Sequence, residues 1–150
     1  MNPDIKQIIS QLLPEAVIDE TGEFITAIVP TAAWREVAKE LRNHPEGNFD
    51  YLYCLTCIDW KTKLTVVAHL SSTRHRQTLV LKADLDRTNP EIETISDIWR
   101  TAEMLEREVY ELFGVQFLGH PDLRKLILTD DFEGFPLRKD FEDPVNMIRL

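Results

Sequence analysis

The fold is decided by residues 49–85, which read FDYLYCLTCIDWKTKLTVVAHLSSTRHRQTLVLKADL. Three runs rich in aromatic and β-branched residues lie within this stretch: Phe49–Trp60, Leu64–Ser71 and Gln77–Leu85. Such residues favour strands, and charged residues at 61–63 and 74–76 leave connections short enough for hairpins. The stretch therefore predicts three strands that pair as an antiparallel meander.

A helix, a hairpin and a second helix are predicted before the meander. Apolar residues recur at helical spacing over residues 5–13, before Pro14, and again between Pro30 and Asn43. Between these helices, Thr21 and Gly22 separate two apolar runs, which is typical of a hairpin.

A long third helix is predicted after the meander. Thr94 or Ser96 is expected to cap it, and Gly114 provides a stop signal directly after Phe113. The arc expected to face the core consists of Ile98, Ala102, Leu105, Val109, Leu112 and Phe113. The order helix, two strands, helix, three strands, helix predicts an α+β fold in which a layer of helices packs on a largely antiparallel sheet.

The last 37 residues, 114–150, have a different character from the preceding 113. They contain three of the five glycines and three of the eight prolines, with apolar residues scattered between them. Such a segment cannot build a core of its own, yet it is too apolar for a free tail. The prediction is a single domain with a body at 1–113 and an extended partner-binding arm at 114–150.

The third helix also carries a charged face beside a mixed shoulder. Arg107 lies four residues from both Glu103 and Glu111, a spacing at which ion pairs form along a helix. The ordinary interpretation is a solvated, salt-bridged face. Between this face and the core arc lie Trp99, Glu106 and Tyr110. Large aromatic side chains beside a carboxylate indicate a surface that is covered.

Two blocks of sequence match a known family. The first reads EREVYELFGVQFLGHPDLRKLI over residues 106–127, and the second reads DDFEGFPLRKD over residues 130–140. With these motifs the chain resembles the respiratory complex I 30 kDa subunit family, the C subunits of NADH-quinone oxidoreductase, over about 35 residues. Many members of the family carry His or Tyr where this chain has Phe135.

The resemblance implies a two-layer, ferredoxin-like body and a place in the peripheral arm of a proton-translocating NADH:quinone oxidoreductase. It also implies that FMN, iron–sulfur clusters and quinone are bound by partner subunits, with no cofactor in this chain. In the family, the C-terminal arm lies along the large quinone-site subunit and approaches the iron–sulfur subunits. Carried over residue by residue, the candidates for partner-binding or arm-anchoring positions are Glu106, Arg107, Glu108, His120, Asp122, Arg124, Arg138, Lys139 and Asp140. The helical shoulder adds Trp99 and Tyr110 to this set.

Composition excludes some functions and predicts a location. Acidic residues outnumber basic ones by 26 to 17, which argues against a general attraction to nucleic acid. The N-terminus lacks the features of a secretory signal, and no apolar run approaches the roughly 20 residues of a spanning helix. The chain is therefore expected to be kept in the cytoplasm. Together with the resemblance, this implies a peripheral position on the cytoplasmic side of the cell membrane, held by partner subunits.

Cys54 and Cys57 form a C-x-x-C pattern, which can be a redox pair or half of a zinc site. Residues three apart in a strand point to opposite faces, so two buried structural thiols are the favoured interpretation. His120 precedes Pro121, where an orienting role is favoured over a catalytic or metal-binding one.

The leading hypothesis is thus a non-catalytic structural subunit whose arm braces the quinone-site and cluster-bearing subunits during electron transfer from NADH to quinone. One alternative is the equivalent subunit of a related membrane-bound hydrogenase or other quinone-linked dehydrogenase. Another is a stand-alone thiol-redox or metal-binding protein that uses Cys54 and Cys57.

Overall fold

The computed structural model describes residues 3–143, so the predicted arm residues 144–150 and the first two residues of the body lie outside the described part. Three α-helices and seven strands follow one another in this part of the chain. They are α1 (Ile5–Leu12), β1 (Val17–Asp19), β2 (Ile25–Ile28), α2 (Trp34–Asn43), β3 (Tyr51–Asp59), β4 (Lys63–Ser72), β5 (Gln77–Asp86), β6 (Glu91–Glu93), α3 (Ala102–Phe113) and β7 (Gln116–Leu118).

Five strands form the main sheet in the order β1-β2-β5-β4-β3. The predicted meander is confirmed, because β3 pairs antiparallel with β4 and β4 pairs antiparallel with β5. The predicted hairpin is confirmed as β1 and β2, while β2 joins β5 in parallel. Lys61 and Arg76, in the two charged connections, adopt the left-handed backbone conformation of tight turns.

The core lies between the helices and one face of the sheet. In β4, the alternate residues Leu64, Val66, Ala68 and Leu70 belong to this core. The helices contribute Ile5, Ile8, Ile9, Trp34, Val37, Ala38, Leu41, Ala102, Val109 and Phe113. The opposite face of the sheet forms a shallow groove lined in part by Thr56, Val67 and Val80. The α+β prediction with a largely antiparallel sheet is therefore confirmed.

The third helix begins later than its predicted caps indicate. Helix α3 starts at Ala102, and neither Thr94 nor Ser96 caps it. Instead, residues 91–93 form β6, which pairs in parallel with β7, and residues 94–101 form turns and irregular backbone. The predicted core arc holds for Ala102, Val109 and Phe113, whereas Ile98, Leu105 and Leu112 are only partly buried.

Tertiary contacts explain this correction. Thr94 donates its hydroxyl to the Glu106 carboxylate, and the indole N–H of buried Trp99 donates to the carbonyl of Phe49 at 3.0 Å. These contacts hold the segment before Ala102 in a folded-back path that a continuous helix would not allow. The periodicity of the local sequence contains no information about these distant partners. No helix within residues 3–143 is long and apolar enough to cross a membrane.

Candidate functional site

The arm begins at a reversal of the chain around Gly114. This residue ends α3 with φ +81°, and its N–H donates to the carbonyl of Tyr110. A Cβ at this position would lie 2.7 Å from a ring carbon of Phe135, far inside normal contact distance. Glycine is therefore required both for the left-handed turn and for the close return of the arm.

Helix α3 holds the middle of the arm through two charged side chains one turn apart. Arg107 donates from Nε to the carbonyl of Arg124 at 3.1 Å and from Nη2 to that of Lys125 at 3.0 Å. The Glu111 carboxylate accepts the backbone N–H groups of Leu126, Ile127 and Leu128. Both side chains are buried. We call this arrangement the backbone clamp.

The clamp corrects the interpretation of this helical face as solvated and salt-bridged. Within residues 3–143, Arg107 forms no ion pair with Glu103 or Glu111. The physical reason is that the arm covers the face and offers unpaired backbone groups, which a buried charge binds strongly. A helical wheel cannot reveal this competition because the arm lies outside the helix.

His120 fastens the start of the arm to α3. The ring Nδ1 of His120 accepts the N–H of Asp122 at 3.0 Å, so Nε2 carries the proton in the neutral ring and donates to the carbonyl of Glu103 at 2.9 Å. The Glu106 carboxylate lies 3.9 Å from this Nε2. The expected orienting contact of His120 with a carbonyl is therefore present.

Besides Arg107 of the backbone clamp, two of the candidate partner-binding residues lie inside the chain. Trp99 and Glu106 are buried in the domain's own interior, so a partner-facing position is not available to them in this structure. Trp99 is held by the carbonyl of Phe49, and Glu106 by Thr94 and the N–H of Ile95. The covered surface that the helical shoulder indicated is covered by this chain itself.

A third set of contacts holds the far end of the arm. The buried carboxylate of Asp59 binds Arg87 through two hydrogen bonds of 2.9 Å and also accepts the backbone N–H of Lys139 at 2.8 Å. Arg87 reaches Asp140 as well, at 2.9 Å. The hydrogen bonds from Arg87 hold the pKa of Asp59 well below its usual range. We call this set the distal anchor.

Arg138 is a further tie to α3 beside the distal anchor. Its Nε donates to the carbonyl of Phe113 at 2.7 Å, and its guanidinium lies 5.1 Å from the centre of the Phe135 ring. The N–H of Leu137 donates to the carbonyl of Leu112 at 3.0 Å. The end of α3 is thereby connected to the arm through its own unpaired carbonyls.

The other candidates lie nearer the surface. Asp122 and Arg124 form an exposed ion pair at 3.0 Å, while Glu108 and Tyr110 are half-buried on α3. Lys139 contributes its backbone to the distal anchor and leaves its side chain exposed. The structure thus brings Arg107, His120, Arg138 and Asp140 into arm-fastening contacts within this chain, while Glu106 binds the segment before α3.

Five residues that hold the arm or the segment before α3 were not identified from the sequence in these roles. They are Asp59, Arg87, Thr94, Glu111 and Lys125. Lys125 closes a loop by donating to the carbonyls of Thr129, Asp130 and Phe132. The sequence did contain one signal for Asp59. It continues the alternation of Leu55 and Cys57 in β3, so a carboxylate occupies a position that the strand pattern predicts to be buried.

The two cysteines are separated by the sheet. Cys57 belongs to the helix-covered core, as expected, whereas Cys54 is partly exposed, so the prediction that both thiols are buried was wrong for Cys54. The reason is that the face of the sheet opposite the helices is only partly covered. The spacing of the two cysteines along β3 directs them to opposite faces, as predicted. Burial raises the pKa of the Cys57 thiol to about 12, which makes its thiolate scarce. Residues 3–143 contain no group of His, Cys, Asp and Glu that could hold a metal ion.

These features define a class: an α+β domain that carries an extended C-terminal segment fastened to its own last helix. Two solved structures share the architecture. A trypsin-resistant fragment (1–134) of Nqo5 matches with a TM-score of 0.68 and 25% identity, over 79% of this chain and 98% of the fragment. A chain of a membrane-bound sulfane sulfur reductase, described as an archaeal respiratory membrane complex, matches with a TM-score of 0.78 and 28% identity, over 92% of this chain and 83% of that one.

The family follows from the sequence comparisons. A family model described as "Respiratory-chain NADH dehydrogenase, 30 Kd subunit" matches residues 27–145, and the chain belongs to this family. It is 38% identical over 129 residues to the C subunit of NADH-quinone oxidoreductase from Chlorobium phaeobacteroides, covering 83% of this chain and 76% of the relative.

Two further relatives differ in their length and in their names. The C/D subunit of NADH-quinone oxidoreductase from Phocaeicola vulgatus is 45% identical over 105 residues, which is 69% of this chain but only 20% of that longer relative. The C subunit of F(420)H(2) dehydrogenase from Methanosarcina mazei is 38% identical over 147 residues, covering 93% of this chain and 92% of the relative. The chain is thus a subunit of the type found in NADH-quinone oxidoreductase complexes and their relatives.

Proposed function

We propose that the chain is a non-catalytic structural subunit in the peripheral arm of a proton-translocating NADH:quinone oxidoreductase. In this role it braces the large quinone-site subunit and the iron–sulfur subunits, which bind FMN, clusters and quinone in its place. The observation that carries the proposal is the way the arm is fastened. Because α3 binds the middle of the arm through backbone groups, some of the arm's apolar side chains remain exposed, although Val115 and Phe117 join the core of the body.

Three of those residues are held near the end of α3. Glu111 accepts the backbone N–H of Ile127, the N–H of Leu137 donates to the carbonyl of Leu112, and the ring of Phe135 lies against Gly114. Their exposed fractions are 72%, 54% and 37%, respectively. We call them the arm patch. Exposed large apolar side chains mark protein interaction sites, because removing their apolar surface from water stabilises a complex.

Charge around the arm patch indicates the chemistry of its partner. Asp130, Asp131 and Glu133 are exposed in the loop between Leu128 and Phe135. Complementary contacts would come from lysine or arginine residues around an apolar surface. In the C/D relative, one polypeptide carries the names of both subunits. This fusion supports the D-type subunit, which we equate with the large quinone-site subunit, as the partner.

The proposed location follows from the same partnership. We place the chain at the cytoplasmic side of the cell membrane, where partner subunits hold it. The sulfane sulfur reductase relative is named as membrane-bound, which supports this placement.

A second candidate function changes the electron donor and keeps the structural role. The relative named as part of F(420)H(2) dehydrogenase matches nearly the whole chain at 38% identity. This match favours a role in a complex that oxidises F(420)H(2) or another donor instead of NADH. In both cases the brace is the same, because partner subunits bind the donor.

The brace is tested by replacing Ile127 and Leu137 with serine in a tagged chain expressed in its native host. We expect the large quinone-site subunit to be lost from the purified complex, while hydrogen exchange shows that the arm remains clamped. Val17→Ser is the matched control, since Val17 is 59% exposed on β1, a strand outside the arm patch. Full recovery of the complex with the double variant would exclude the arm patch as the docking surface.

The donor is tested separately. Membranes from a strain that lacks this chain are compared with membranes from the complemented strain, with NADH and reduced F(420) supplied in turn. We expect complementation to restore quinone reduction by NADH. Restoration with reduced F(420) alone would establish the second candidate.

A further inference from the structure

Glu106 is a completely buried carboxyl group whose two oxygens are held differently. Oε1 lies 2.5 Å from the hydroxyl of Thr94, and Oε2 accepts the N–H of Ile95 at 3.0 Å. Burial raises its pKa to about 7, and the two hydrogen bonds oppose this change. A carboxyl group in this position can therefore change its protonation state near neutral pH.

A chain of hydroxyl groups leads from Glu106 to a pocket. The hydroxyl of Thr94 lies 2.7 Å from that of Ser96, and both residues line a pocket of about 650 Å³ together with Arg35, Asp97 and Arg100. Each hydroxyl is both a donor and an acceptor, so the chain can be oriented in either direction. The pocket opens to solvent and can supply or take up a proton.

Titratable and charged side chains approach Glu106 from the arm, from α2 and from the wall of the pocket. His120 of the arm has Nε2 at 3.9 Å, and its own hydrogen bonds hold the ring in place. Arg35 of α2 is paired with Asp97 through two contacts of 2.7 Å and also binds the carbonyl of Thr94. Glu93, Arg100 and Glu103 also line the pocket. The nearest formal cations are therefore already engaged by other groups.

We propose that Glu106 exchanges its proton with the pocket through Thr94 and Ser96, and that its protonation state controls how firmly the body holds the start of the arm. In the protonated state, Glu106 donates to Thr94 and Thr94 donates to Ser96. In the ionised state, Ser96 donates to Thr94 and Thr94 donates to the carboxylate. One proton passes between Glu106 and water, and no covalent bond other than O–H bonds forms or breaks.

The connection to the arm runs through Thr94. Its backbone N–H donates to the carbonyl of Leu118 in β7 at 2.8 Å. Ionising Glu106 inside the protein costs free energy, and opening the segment 94–96 relieves that cost by admitting water. Opening this segment also breaks the bond to β7. The inference concerns this chain alone and does not depend on the proposed function.

The sign of the pH dependence follows from linkage. A folded-state pKa near 7 lies above the unfolded value of about 4.3, so the protonated form favours the closed state at low pH. Protection of the Thr94 amide against hydrogen exchange, corrected for intrinsic rates, should fall about tenfold per pH unit between about pH 5 and 7. Above about pH 7 it should level off, because both states are then ionised.

The test measures this profile on the full chain, together with the carboxyl ¹³C shift of Glu106. We expect the carboxyl shift to have its midpoint near pH 7. In Glu106→Gln, the side-chain amide donates to Thr94 as the protonated carboxyl group does, so the protection of the Thr94 backbone N–H should become independent of pH. Thr94→Val should move the midpoint, since it removes the hydroxyl from the chain. Glu108→Gln, on the same helix, should keep the wild-type slope.

Two results would overturn the proposal. One is a Glu106 midpoint near the free value, which the unmodified chain reports whether or not any variant folds. The other is an unchanged slope of Thr94 protection in Glu106→Gln.

Discussion

Arg107 and Glu111 stand one turn apart on α3 and bind adjoining stretches of the same backbone, the cation by its carbonyls and the anion by its N–H groups. This division matches each charge to the backbone group of opposite polarity. The clamp therefore depends on the position of the arm backbone and leaves the side chains of residues 126–128 to other contacts.

Glu111→Gln should loosen the clamp. The amide offers one acceptor oxygen, whereas the carboxylate accepts three N–H groups. Donors are therefore left unpaired, and the free energy of unfolding should fall by about 1.5 to 3 kcal/mol. Urea unfolding measures this loss, and hydrogen exchange should increase at residues 126–128. Glu108→Gln is the control, since the Glu108 carboxylate has no hydrogen-bond partner in the described part of the chain. Equal effects of the two variants would contradict the clamp.

The distal anchor should make stability depend on pH in the acidic range. The pKa of Asp59 is depressed in the folded state by Arg87, so the folded chain holds this proton less tightly than the unfolded chain. Its contribution is therefore complete above the unfolded pKa of about 3.9 and is lost as pH falls below it. The free energies of unfolding of the wild type and of Asp59→Asn should differ by a constant amount around neutral pH, and this difference should shrink in acid. A difference that stays constant down to about pH 2 would argue against the anchor.

Trp99→Phe should destabilise the folded-back segment before α3. The substitution removes an N–H that satisfies the carbonyl of Phe49 at 3.0 Å in the interior. An unpaired buried acceptor costs about 1 to 3 kcal/mol. Trp60→Phe is the comparison because it also removes an indole N–H, the one that donates to the hydroxyl of Thr65, but from a side chain that is about half exposed. Thermal unfolding measures the stability of both variants. A larger loss of stability for Trp60→Phe than for Trp99→Phe would exclude the unpaired carbonyl of Phe49 as the cause.

The cysteines should differ sharply in reactivity. Cys57 is buried and its pKa is raised to about 12, whereas Cys54 is partly exposed. Alkylation of the native chain at about pH 8, followed by mass spectrometry, should modify Cys54 first and Cys57 only after unfolding. Simultaneous modification of both thiols, or an intramolecular disulfide under mild oxidation, would revive the thiol-redox hypothesis.

Much of the fold could be predicted because its signals are local. The strands β3, β4 and β5 follow from β-branched residues and short charged connections, and Gly114 marks the end of α3. The start of α3 could not be predicted in this way. Thr94 and Ser96 have the composition of helix caps, but Glu106 binds Thr94 from twelve residues away and prevents that role.

The sequence by itself determined the α+β class, the family and the residue types available to hold the arm, because strand periodicity, turn residues and a dense motif depend on neighbouring positions. Only the tertiary structure decided which groups those residues bind. Arg107 and Glu111 form the pattern of a helical ion pair, yet they bind the arm. Asp59 meets the backbone of Lys139 across 80 positions in the chain. A charged group binds whichever partner the fold brings within hydrogen-bond distance, and that distance depends on the packing of the whole domain.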